Sequence, residues 1–105
     1  MEPPKHLKTD GKALFEQVAQ EYSIEDAGGI ALLTTAAECL DRMREAQAEI
    51  KKHGVLLADR YNNQKLNPAC GLEKDARSGF LAAIKSLNLD LEPLKSSVGR
   101  PPRGY

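Results

Sequence analysis

The sequence predicts an all-α chain: a long antiparallel helical hairpin, an N-terminal helix packed across it, and a short β-hairpin or loop between the long helices. Three observations carry that expectation. Ile30, Leu33, Ala37, Leu40, Met43 and Ile50 recur at helical spacing, with Gln47 as the one polar step, and such spacing keeps them on one helix face. Asn67-Pro68 is a strong helix start, with Asn as N-cap and Pro at the first helical position. Between these stretches, short apolar runs flank Asn62-Asn63, a turn signal.

Residues 1–8 are Pro-rich and polar and read as an extended arm, with Leu7 packing at the start of the first helix. That helix is expected from about Asp10 to Tyr22, capped by Thr9 or Asp10. Leu14, Phe15, Val18, Ala19 and Tyr22 form its apolar stripe. Two or three residues then lead into the long helix, so the two must fold back on each other or cross steeply.

The long helix is expected from Ser23 to Gly54. Ser23 and Asp26 resemble a capping box. Lys51, Lys52 and His53 suit the negative end of the helix dipole, and Gly54 suits the stop. Roughly thirty residues at about 1.5 Å each make a rod of about 45 Å. A 105-residue globule has a radius of gyration of only about 13 Å. The rod therefore overshoots its domain, and a second helix or neighbouring subunits must cover it. Ile30, Leu33, Leu40, Met43 and Ile50 are the candidate subunit contacts. Its outward face carries the pairs Glu38/Arg42 and Asp41/Arg44 at helical spacing.

After Gly54, arms at Val55–Leu57 and Gln64–Leu66 are expected to form a small hairpin or an extended loop. A hairpin alone is marginal in water and should pack on the helices or pair with a neighbour. The third helix follows to about Leu87, with Ala69, Leu72, Ala76, Phe80, Ala83 and Leu87 as its stripe and Asn88 as a left-handed cap. Leu89, Leu91 and Leu94 make a short apolar extension. The organisation is thus an arm over residues 1–8, a helical oligomerisation domain over 9–94, and a flexible basic tail over 95–105.

Composition narrows the function. Formal net charge is zero, but Lys95, Arg100 and Arg103 follow the last acid, Glu92. The tail is +3, and the rest carries twelve basic against fifteen acidic groups. Net charge alone does not draw the body to DNA, which leaves a local patch or the tail. Five aromatic residues are too few for a base-stacking platform. Cys39 and Cys70 lack metal-ligand spacing and are expected to be reduced and buried. The opening Met1-Glu2-Pro3-Pro4-Lys5 has no apolar run, so no signal peptide is expected. No stretch is long enough to span a membrane. Together these give a cytoplasmic expectation.

Catalysis is not expected, because His6 and His53 lie near no Ser or Cys nucleophile. A DNA-reading helix-turn-helix at the first junction is disfavoured, since Glu21, Glu25 and Asp26 would repel phosphate. A phosphate cradle at Gly28-Gly29 fails for the same acids and for want of a following Lys-Ser/Thr.

The order of signals resembles the small subunit of a tailed-phage terminase. The residues that carry the resemblance are Pro3-Pro4-Lys5-His6-Leu7, Ala13-Leu14-Phe15, Tyr22, Asp26, and Asp41-Arg42. They continue through Ile50-Lys51-Lys52-His53-Gly54, Gln64-Lys65-Leu66-Asn67-Pro68-Ala69, Glu73, Arg77 and Leu87-Asn88-Leu89. The resemblance implies a non-catalytic partner of the packaging motor, working in the host cytoplasm and using no cofactor. It implies a homo-oligomeric ring, binding to viral double-stranded DNA, and regulation of the terminase large subunit, which holds the ATPase and nuclease. Two departures stand out. The longer basic N-terminal arm of the family is absent, and Leu-Gly-Leu-Thr-Pro is replaced by Leu87-Asn88-Leu89-Asp90-Leu91-Glu92-Pro93.

On this reading the DNA contacts are Lys5, Lys8 and Lys12 near the first helix, and Lys95, Arg100 and Arg103 in the tail, all to phosphate. The competing expectation is a protein-interaction adaptor without DNA affinity that uses the Arg100-Pro101-Pro102-Arg103 tail.

Overall fold

The computed structural model describes residues 2–89. They form α1 (Thr9–Glu21), α2 (Ala27–His53), a two-stranded antiparallel sheet of β1 (Leu56–Ala58) and β2 (Gln64–Leu66), and α3 (Pro68–Leu87). The chain is mostly helical, as the periodicity predicts. Among the described residues no helix is long and apolar enough to cross a membrane.

The N-terminal arm is fastened to α2 rather than free. Leu7 is buried with Phe15, Ile24, Leu33 and Ala37. His6 bonds Glu38 at 2.7 Å, and Lys8 pairs with Glu45. Neither Thr9 nor Asp10 caps α1. Lys8 is the N-cap residue and its side chain makes no capping bond. The cap comes from the Asp41 carboxylate on α2, which accepts the backbone N–H of Lys8 at 2.7 Å and of Gly11 at 2.8 Å.

The long helix begins later than Ser23. Ile24 is drawn into the core with Phe15 and Leu33, so the chain turns first, with Ser23 at φ +51°. Asp26 is then the N-cap, accepting Gly29 N–H at 2.8 Å. A side chain at Gly29 would meet both the Asp26 carboxylate and Ile24 at 2.8 Å, which is why a small residue sits there. The 27 residues of α2 span about 40 Å, ending at Gly54 with φ +88°.

β1 and β2 pair Leu56 with Leu66, Leu57 with Lys65, and Ala58 with Gln64, one residue along from the expected first arm. Asp59 closes the turn by accepting the N–H groups of Tyr61 and Asn63. At the base, Asn67 is buried. Its side chain donates to Gly54 C=O at 2.8 Å and caps Ala69 N–H at 3.0 Å. α3 starts and stops where the sequence places it, with Pro68 at its first turn and Asn88 left-handed at φ +57°.

α3 packs against α2. Gln47 donates to Glu73 at 3.0 Å, and Gly79 lies against Cys39. Small residues line the approach, with Cys39 and Ala46 on α2 facing Ala69, Ala76 and Gly79 on α3, and Ala46, Ala69 and Ala76 are buried. Phe15 and Leu33 are the largest fully buried side chains, so the apolar core sits at the α1 end of α2. The described chain measures 59 × 41 × 19 Å, with a radius of gyration of 17.8 Å. A compact domain of similar length would have about 13 Å.

Candidate functional site

The described surface has two kinds of candidate feature, basic side chains around α1 and apolar side chains left in water. Lys5, Lys8 and Lys12 are all exposed. Lys12 N–H bonds Lys8 C=O at 2.8 Å, so those two lie one turn apart on one side of α1. The Lys8 ammonium is bound by Glu45, and that hydrogen bond holds its pKa above the usual lysine range. Lys5 and Lys12 have no ion-pair partner among the described residues. Lys95, Arg100 and Arg103 lie outside the described residues.

The charged pairs expected along α2 are rearranged. Arg44 bonds Asp10 at 2.9 Å and Gln47 at 3.0 Å, while Glu38 is taken by His6. Asp41 is 8% exposed and belongs to the α1 cap instead of the outer face. On α3, Arg77 binds Glu73, and with Gln47 it pulls that carboxyl below the usual glutamate range. At the α1–α2 junction Glu16, Glu21 and Glu25 are exposed, which keeps the turn acidic.

Of the five residues expected at subunit contacts, Leu33 and Met43 are buried within the chain, at 0% and 5% exposure. Both face the chain's own core, so they are corrected from interface to core. Ile30, Leu40 and Ile50 are half-buried. The apolar residues that do reach solvent lie elsewhere: Val55, Leu56, Tyr61 and Leu66 around the hairpin, and Leu72 and Leu81 on α3. Leu72 was expected on the buried stripe. It stands on the wall of an open groove of about 490 Å³ between α2 and α3, with Cys39, Ala46, Ala69 and Ala76. Both cysteines are free and half-buried, more open than expected.

No group of three or more His, Cys, Asp or Glu among the described residues is placed to hold a metal ion. The arrangement offers cations for anions and apolar surface for a protein partner. Sequence reasoning missed the Asp41 clip and the exposed hairpin face. The one local signal for Asp41 is its position four residues after Ala37, on the buried side of α2. No family model, no curated protein and no solved structure matches this chain.

Proposed function

We propose that this chain is a terminase small subunit of the tailed-phage kind. It is a non-catalytic protein that binds viral double-stranded DNA, assembles as a homo-oligomeric ring, and regulates the large ATPase/nuclease subunit during genome packaging. One observation carries the reading above the others. A thin, elongated chain holds a helix of 27 residues and leaves Val55, Leu56, Tyr61, Leu66, Leu72 and Leu81 in water. Exposed apolar groups that sit together, as Leu56 and Leu66 do opposite each other on the small sheet, mark an interaction surface. The order of arm, short helix, long helix, small sheet and Asn-Pro-capped helix supports the same assignment. So do the pairings Gln47–Glu73 and Cys39–Gly79, which descend α2 as they ascend α3 and fit a long antiparallel helical hairpin with α1 packed across it. Ile30, Leu40 and Ile50 flank the hairpin as half-buried edges available to neighbours.

In this function the lysines around α1 and the basic tail touch phosphate, and the helical body is scaffold. The adaptor reading has one observation in its favour, the loss of the Lys8 ammonium to Glu45. Fluorescence anisotropy of labelled duplex DNA separates the two. A packaging subunit binds with an affinity that falls steeply between 50 and 200 mM salt, as counterion release requires. An adaptor gives a flat titration at both.

A further inference from the structure

The hydrogen bonds of the small sheet fix which of its side chains share a face. Asn67 N–H bonds Val55 C=O at 2.7 Å, and Asp59 N–H bonds Asn63 C=O at 2.8 Å. Bonded pairs alternate along an antiparallel ladder, so Leu56 and Leu66, directly opposite each other, form a non-bonded pair with closely approaching side chains. They are 54% and 60% exposed, and Ala58 and Gln64 on the same face are exposed too. Leu57, on the other face, is half-buried. The sheet thus turns its aliphatic pair outward.

The α2–α3 groove has the opposite shape. Its floor is small, with Cys39, Ala46, Ala69 and Ala76, and Leu72 stands open on its wall. Charge separates the two features further. The hairpin carries Arg60, stacked 5.4 Å over Tyr61, and Lys65, while the Asp59 carboxylate is used by its own turn. The groove is edged by Glu45, Glu49 and Asp75 against Arg42 alone. Glu45 is held by Lys8 and Glu49 faces His53 at 3.6 Å, so Asp75 is the acid left to meet a basic partner.

We infer that the hairpin of one copy of this chain seats Leu56 and Leu66 in the α2–α3 groove of a second copy, with Arg60 at the hairpin tip against Asp75; Lys65, opposite Leu57 on the other face of the sheet, stays in solvent. The chain's own hairpin does not fill that groove, since both leucines stand in water and Asn67 ties the base of the loop to Gly54. Knob and groove are different surfaces, so the contact is heterologous and propagates from copy to copy, closing into a ring when the rotation permits. The inference rests on the self-assembly part of the proposed function and names the surfaces that perform it.

Cys39 supplies the test. One copy carries Leu66→Cys with Cys39→Ser and Cys70→Ser, and a second carries only Cys70→Ser. The two are mixed, oxidised and separated without reductant. The expected product is a species of twice the chain mass that peptide mapping shows to join positions 66 and 39. Leu56→Ser with Leu66→Ser, both at exposed positions, is expected to keep native helicity by circular dichroism while weakening self-association roughly a hundredfold or more. An assembly that keeps its full mass in this double variant and gives no 66–39 link overturns the hairpin–groove contact and leaves the ring intact. A wild-type chain that is monomeric at micromolar concentration overturns both. A linked, assembled chain that ignores DNA upholds the contact and overturns only the packaging role.

Discussion

The Asp41 carboxylate on α2 accepts the backbone N–H of Gly11 at 2.8 Å and, through its other oxygen, that of Lys8 at 2.7 Å. A helix start normally carries its own capping side chain. Here α1 is capped by a residue thirty positions away, which couples formation of the first helix to its docking. Asp41→Ala leaves two backbone donors without a partner at a part-buried site. The expected cost is about 2 kcal/mol, a fall in Tm on the order of 10 °C for a domain this size. Asp41→Asn, which keeps one acceptor oxygen, is expected to lose less. Thermal unfolding followed by circular dichroism measures both.

Gly11 gives a test of sign. Alanine is the better helix former by roughly 1 kcal/mol, yet a Cβ at Gly11 would collide with the Asp41 carboxylate and come within 2.9 Å of Ala37 C=O. Gly11→Ala is therefore expected to destabilise. Gly71, inside α3 with nothing within 4 Å of an added Cβ, is expected to respond oppositely, Gly71→Ala stabilising by roughly 0.5–1 kcal/mol. Urea unfolding of the pair reads the two signs side by side.

Asn67 caps Ala69 and holds Gly54 C=O through one buried side chain. Asn67→Ala is expected to cost about 2 kcal/mol and to loosen the hairpin with the start of α3. Amide hydrogen exchange should then speed up across residues 54–70 and leave α1 unchanged.

Two charges link stability to pH. Arg77 first, then Gln47, lowers the Glu73 pKa. A carboxyl depressed in the folded state contributes stability above its unfolded pKa, about 4.3, and that contribution is lost as pH falls through the folded value. Glu45 raises the Lys8 pKa, so that pair contributes below the unfolded lysine value, about 10.4, and is lost as pH rises through the folded one. Lys8, Glu45 and the Arg77 partner of Glu73 are largely open to solvent, so the effects are small. NMR titration of Glu73 is expected to show a midpoint below the ordinary glutamate value, returning towards it in Arg77→Met.

The same Lys8–Glu45 pair sets an expected order among the proposed DNA contacts. Lys12→Ala is expected to weaken DNA binding more than Lys8→Ala, and to reduce the salt slope by about one unit. Glu45→Gln frees Lys8 and is expected to tighten binding at low salt. Anisotropy titrations of the three variants on one duplex check that ranking.

What was legible in the sequence was what local chemistry decides. Asn67-Pro68 and Asn88 mark the ends of α3 because cap and left-handed stop are written within a few residues. The apolar period found α2 within four residues, and β2 fell where its arm was expected. Tertiary partners decided the rest. Ser23 resembles a cap, but burial of Ile24 moves the start to Asp26. Asp41 resembles half of a surface ion pair, and only docking of α1 reveals its acceptor role. Leu33 and Met43 look like subunit contacts, and Leu72 like core, until packing of Leu7 and Phe15 on Leu33 and the alanine-lined approach of α3 fix which sides are covered. The lysines around α1 were legible as exposed cations. The outward turn of Leu56 and Leu66 was not, because a one-residue change of strand register exchanges the two faces.

Self-assembly is the claim on which the proposed function and the surface inference both stand, and native mass spectrometry at micromolar concentration tests it most directly. The account predicts a closed assembly at an integer multiple, well above two, of the 11.5 kDa chain. A single species at 11.5 kDa, unchanged on adding duplex DNA, would contradict it.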